Sequence, residues 1–180
     1  MSCPAASQRF PMHSPYAPQP PTGFRPAGLV TKAWMDDPPA LRKKRYTGSR
    51  LLGVKYEAKV QADLLARHEG DYIANPWFCF QVAGSDIFRW CQPDGLLFDW
   101  REGRLTLVEV KYQHTALAWW QLRHLYFPVV AKVFPQQLWE YGFCEITKWY
   151  DPQILFPVEV SLARDPTARC AEFKVHIWKP

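Results

Sequence analysis

The sequence predicts an α/β (α+β) fold: a mixed central β-sheet flanked by helices, preceded by an extended proline-rich arm. Three observations carry this expectation. Nine of the seventeen prolines fall in residues 1–40. Two strand-like runs, 95–100 and 104–112, flank a short connection ending in glycine. Stretches of helical character, 53–68 and 115–134, bracket that pair.

The arm follows from proline chemistry. Proline lacks a backbone donor and fixes φ, which excludes a helix or an internal strand where it is dense. Residues 1–40 are therefore expected to hold little helix or strand and to make few core contacts. Phe10, Tyr16, Phe24 and Trp34 punctuate this stretch as candidate anchors along a surface. The chain divides into an arm, 1–50, and a folded domain, 51–180. Its net charge is +5. Residues 1–50 hold eight Lys/Arg against two acids, and the remainder fourteen against fifteen. A basic arm beside a near-neutral domain suits a polyanionic partner, nucleic acid first among them. Lys43, Lys44 and Arg45 are the candidate phosphate contacts; the alternative is a solvated tail.

In the folded part, a helix over 53–68 is expected to turn Val54, Ala58, Leu64 and Leu65 to one side, with His68 at its C-terminal end and Gly70 as the stop. Asn75 and Pro76 mark a turn, and 77–83 reads as a strand. The runs 95–100 and 104–112 form an antiparallel hairpin across Arg101, Glu102 and Gly103. Residues 115–134 form a helix against the sheet, kinked or broken near Pro128. Strands are expected over 144–150, 154–160 and 171–178.

The five cysteines are odd in number and irregularly spaced, with no CxxC pair, so free thiols are expected rather than a disulfide framework or zinc knuckle. No apolar run reaches the ~18–20 residues of a membrane span, and the N-terminus lacks the apolar stretch of a secretory signal. The expectation is a cytoplasmic protein without a membrane partner, in a host cytoplasm or carried in a virion.

Residues 92–113 carry the chemistry. Glu109 and Lys111 lie one residue apart on a strand, so they share a face, about 6.5–7 Å apart. Asp94 precedes the neighbouring strand, and a short turn brings it towards Glu109. Two carboxylates and an ammonium then converge. Hard oxygens suit Mg²⁺ (or Mn²⁺), which takes only one or two protein carboxylates. An ammonium beside them can orient a water or stabilise charge as a phosphodiester is cut. The bland alternative is a surface hairpin whose Glu109 and Lys111 form a same-face ion pair.

Pro93-Asp94 followed by Glu109-Val110-Lys111 resembles the signature of the PD-(D/E)XK nuclease superfamily. Gly53 to Glu57 is similar to the pattern in which a helical glutamate faces the metal centre. Gln121 and Tyr126 resemble the glutamine-and-tyrosine helix of RecB-type and lambda-exonuclease-like members, although QLRHLY is one residue longer than their QxxxY. The resemblance covers roughly residues 50–135. It implies a restriction-endonuclease-like core and a Mg²⁺-dependent DNA nuclease, with Asp94, Glu109, Lys111, Glu57 and Gln121 in the catalytic centre. It implies Asp94, Glu109, Val110 and Glu57 as metal-binding positions. DNA is the implied partner, in phage or mobile-element DNA processing, and the arm suggests contact with a protein assembly. Two rivals stand beside this: a structural or interaction protein, such as a viral-particle component, on a nuclease-like fold, and a non-catalytic nucleic-acid-binding module. Glu57 is equally readable as a solvated helix residue, and His114 and His124 as structural rather than ligating.

Overall fold

A computed structural model of the chain describes residues 19–37, 45–151, 159–161 and 173–180. Lys43, Lys44 and the beginning of the strand expected at 154–160 lie outside them. The elements are β1 (Val30–Met35), α1 (Gly48–Arg67), β2 (Tyr72–Ala74), β3 (Phe78–Val82), β4 (Arg89–Cys91), β5 (Gly95–Asp99) and β6 (Arg104–Gln113). After them come α2 (Ala116–Trp120), a π-helical turn (Gln121–Tyr126), α3 (Phe127–Val133), β7 (Glu140–Trp149), β8 (Glu159–Ser161) and β9 (Phe173–Ile177).

The fold is mixed α/β with two sheets. The larger runs β2-β5-β6-β7-β9-β8 and the smaller β1-β3-β4. In the larger sheet β2, β5 and β6 are mutually antiparallel neighbours, whereas β6, β7 and β9 run parallel. A parallel pair needs a crossover, and the α2-to-α3 helical run supplies it between β6 and β7. The expected hairpin is present, with Gly95 paired to Val108 and Asp99 to Arg104.

Alternation along β6 divides the core. Leu105 and Leu107 pack with Leu122, Tyr126, Val129 and Val130 of the crossover run, together with Phe78 and Phe80 of the small sheet. Val108 and Val110 pack with Tyr56, Val60 and Leu64 of α1. Each such side chain contributes about 1.5–3 kcal/mol relative to exposure.

Three expectations are corrected. First, the segment assigned to a strand-free arm contributes β1, antiparallel to β3, and Ala27 is buried in the core. The prolines stop at Pro26 and resume at Pro38. The proline-free window between them is rich in β-branched and aromatic residues, which suit an edge strand. Second, α1 begins at Gly48, and its buried residues are Tyr56, Val60, Gln61 and Leu64. Val54, Ala58 and Leu65 face solvent. Gln61 is tolerated inside because both ends of its amide are bonded, as described below. Third, the run 116–133 passes Pro128 without a break. Proline at 128 cannot donate to the carbonyl four residues earlier. That carbonyl, of His124, instead accepts the N–H of Ala27 at 2.9 Å. The helix thus keeps its course, and the arm is tied to it.

Cys79, Cys91 and Cys144 are free and buried. Among the described residues no helix is long and apolar enough to cross a membrane.

Candidate active site

The site is built around the residue pair Asp94-Gly95, where the chain enters β5. The Asp94 carbonyl accepts hydrogen bonds from Gln61 Nε2 at 2.8 Å and from the Asn75 N–H at 2.9 Å. The Tyr72 hydroxyl donates to Gln61 Oε1 at 2.8 Å, which fixes the amide. Asn75 adopts a left-handed backbone, φ 50°, a conformation asparagine tolerates better than most residues. Gly95 is required for a different reason. A Cβ there would lie 2.0 Å from the Tyr72 hydroxyl oxygen, so the tyrosine reaches the Asp94 turn only because position 95 has no side chain.

With its main chain fixed, Asp94 turns its carboxylate to the neighbouring strand. Oδ2 accepts the Val110 N–H at 2.6 Å. This bond places Asp94 beside Glu109 and Lys111. Lys111 Nζ pairs with Glu109 Oε1. Glu109 is 1% exposed, and its Oε2 has no hydrogen-bond partner. The Val110 side chain is buried against α1 and has no ligating atom, so only its main-chain carbonyl could serve a metal.

The electrostatics reflect crowding of acids. Burial, with Asp94 close by, pushes the Glu109 carboxyl up to about 8, and Lys111 moderates the rise. Burial also raises Asp94, against the pull of Lys111 and the Val110 N–H. Burial alone would lower the Lys111 ammonium, but Glu109 and Asp94 hold it above its ordinary value. Glu57 is pushed up to about 7, first by burial and then by Asp94, while Lys111 pulls the other way. Glu57 therefore lies within the field of the cluster, approaching from α1.

Over the same end of the sheet lies the π turn. Its i-to-i+5 pattern aligns residues five apart, and Gln121 Nε2 donates to the Tyr126 hydroxyl at 3.1 Å. Tyr126 is raised well above its ordinary value by burial and by the Glu109 and Asp94 charges. Gln121 Oε1 is buried without a partner. Arg45 is exposed and has no described link to the cluster.

Two further residues join the cluster without belonging to the sequence motif. Glu145 of β7 is paired in register with Glu109 and is 0% exposed. His114, at the end of β6, is also buried, with Nδ1 2.7 Å from Glu145 Oε2. The one signal for them in the sequence is a lone acid at the end of the apolar run 141–146.

The residues present suit a hard divalent cation. Asp94, Glu57, Glu109 and Glu145 outnumber Lys111 and His114, and Glu109 offers an unpartnered oxygen. Among the described residues, no three His, Cys, Asp or Glu side chains are arranged to hold a metal by themselves. The protein ligands would be two carboxylates completed by main chain, water or substrate, the pattern Mg²⁺ accepts. Compared with protein-family models, curated proteins and solved structures, the chain matches none.

Proposed function

We propose that this protein is a Mg²⁺- or Mn²⁺-dependent DNA nuclease of the PD-(D/E)XK type. The observation that carries the reading is the 2.6 Å bond from the Val110 N–H to Asp94 Oδ2. Strand pleating alone puts Glu109 and Lys111 on one face, but nothing in a chance pattern requires Asp94 to join them. The π turn adds support, because it takes up the one residue by which QLRHLY exceeds QxxxY.

Asp94 and Glu109 would hold the ion, with Glu57 beside them. Bound there, the ion would supply Lewis acidity towards a phosphoryl oxygen and lower the pKa of a water. Lys111 would donate to the negative charge that develops as the phosphodiester is cleaved. Glu57, with a carboxyl near 7, is suited to take a proton from the attacking water. Gln121 and Tyr126 would shape the wall of the site. Lys43, Lys44 and Arg45 would contact DNA phosphates.

The test is incubation of linear, circular and branched DNA with the protein in Mg²⁺ or EDTA. Cleavage in Mg²⁺ alone, lost in Asp94→Asn, is the expected result. No cleavage of any substrate, or cleavage undiminished by EDTA, would remove the reading. A second reading is an interaction protein on the same fold. It is favoured by the exposed side chains of Ile87, Phe88, Trp90 and Trp34 around the small sheet.

A further inference from the structure

Glu145 is given no work by the chemistry above, yet its position is costly. A carboxylate taken wholly out of water loses several kcal/mol of hydration. A valine or isoleucine would fill the same place in β7 without that cost. The surroundings show what holds it. Oε2 meets His114 Nδ1 at 2.7 Å, and the Thr115 N–H also bonds to the carboxylate. Oε1 has no hydrogen-bond partner. The carboxylate is therefore fixed on the side where β6 leaves the sheet.

On the other side lies Lys111. Parallel pairing sets Glu145 beside Glu109 and Thr147 beside Lys111. Neighbouring strands lie about 4.8 Å apart, and paired residues share a face. The Lys111 side chain turns back along its own strand to reach Glu109, so its ammonium returns to the level of Glu145.

We infer that Glu145, anchored by His114, is a positioning residue whose charge holds the Lys111 ammonium over Glu109. The inference rests on the nuclease reading only in making Lys111 the catalytic ammonium. The field of Glu145 helps to hold that ammonium in its charged form. The competing account is purely structural: Glu145 and His114 staple β7 to the start of α2 and have no bearing on Lys111.

Glu145→Gln removes the charge and keeps the shape. The first readout needs no catalysis. Trace acetylation of the full chain, read by mass spectrometry, gives the labelling of Lys111 relative to exposed Lys59. In Glu145→Gln the relative labelling of Lys111 should rise several-fold, and in His114→Asn by less. The second readout is DNA cleavage with Mg²⁺. Glu145→Gln should lose about 10–100-fold in kcat, the usual scale for a residue supporting a catalytic group, with KM unchanged. It should cause no further loss in a Lys111→Ala background.

Unchanged Lys111 labelling in both variants, or losses that add fully to that of Lys111→Ala, would overturn the inference in favour of the staple. Should Glu145→Gln fail to fold, His114→Asn decides by the same labelling. If the wild type cleaves no DNA but Lys111 labelling still rises, the positioning stands and the nuclease reading falls.

Discussion

The two ends of the β5–β6 hairpin carry similar residues and treat them differently. At the turn end Asp99, Arg101 and Glu102 are exposed, and Arg104 pairs with Glu140 at 3.1 Å. The Glu140 side chain is 56% exposed, and a pair of this kind contributes about 0–1 kcal/mol. At the other end Lys111 pairs with Glu109, whose side chain is 2% exposed. Asp94 and Glu145 crowd the same place. Removing a partner from a buried pair costs about 3–5 kcal/mol, and apolar side chains would fill the space more cheaply. One hairpin thus holds a solvated set of charges that asks for no explanation and a buried set that does. Proteins keep strained or desolvated charge mainly where it serves chemistry.

The largest expected difference between the ends is in activity. Lys111→Ala and Asp94→Asn should each reduce cleavage by about 10³-fold, on the scale of losing a transition-state donor. Both should remain folded by circular dichroism. Glu140→Gln should leave cleavage unchanged. Full activity in either buried-end variant would erase the distinction.

The next difference is in pH dependence. The folded-state carboxyl of Glu109, near 8, lies above its ordinary value of 4.5. The folded protein therefore holds this proton more tightly than the unfolded chain. The sign follows: stability is fullest below about 4.5 and is lost as pH rises through 8. In EDTA, the thermal stability of the wild type should decline over that window. Glu109→Gln should flatten the decline by on the order of 1 kcal/mol per pH unit, and Glu140→Gln should not. Parallel slopes in all three proteins would mean that Glu109 is not held protonated by its surroundings.

Much of the buried end was legible in the sequence, because i and i+2 on a strand must share a face and a short connection must return the chain. The rest depended on tertiary context. A proline count over 1–40 averages away the proline-free window that forms β1. The apolar pattern of α1 points to Val54, Ala58 and Leu65, whereas the packed face includes Gln61, whose burial depends on Tyr72 and the Asp94 carbonyl. The π turn is invisible to a 3.6-residue period, and Pro128 reads as a break because its compensation comes from Ala27, far away in sequence. Glu145 joins Glu109 only through parallel pairing of β6 with β7, a register that no local pattern specifies.

The smallest expected effect concerns the basic segment. DNA affinity should fall with salt, and the logarithmic slope should lessen by roughly 0.9 for each phosphate that the protein no longer neutralises. Replacing Lys43, Lys44 and Arg45 together by alanine tests this without disturbing β1, which deletion of 1–50 would remove. An unchanged slope would assign those residues to another role.

The most direct test of the central claim is Mn²⁺ binding, read by electron paramagnetic resonance near pH 8 with a short DNA duplex present. The wild type and Glu140→Gln should take up the ion, and Asp94→Asn and Glu109→Gln should not. Equal uptake by all four proteins, or none by the wild type, would contradict the assignment of the buried end as a metal-dependent catalytic centre.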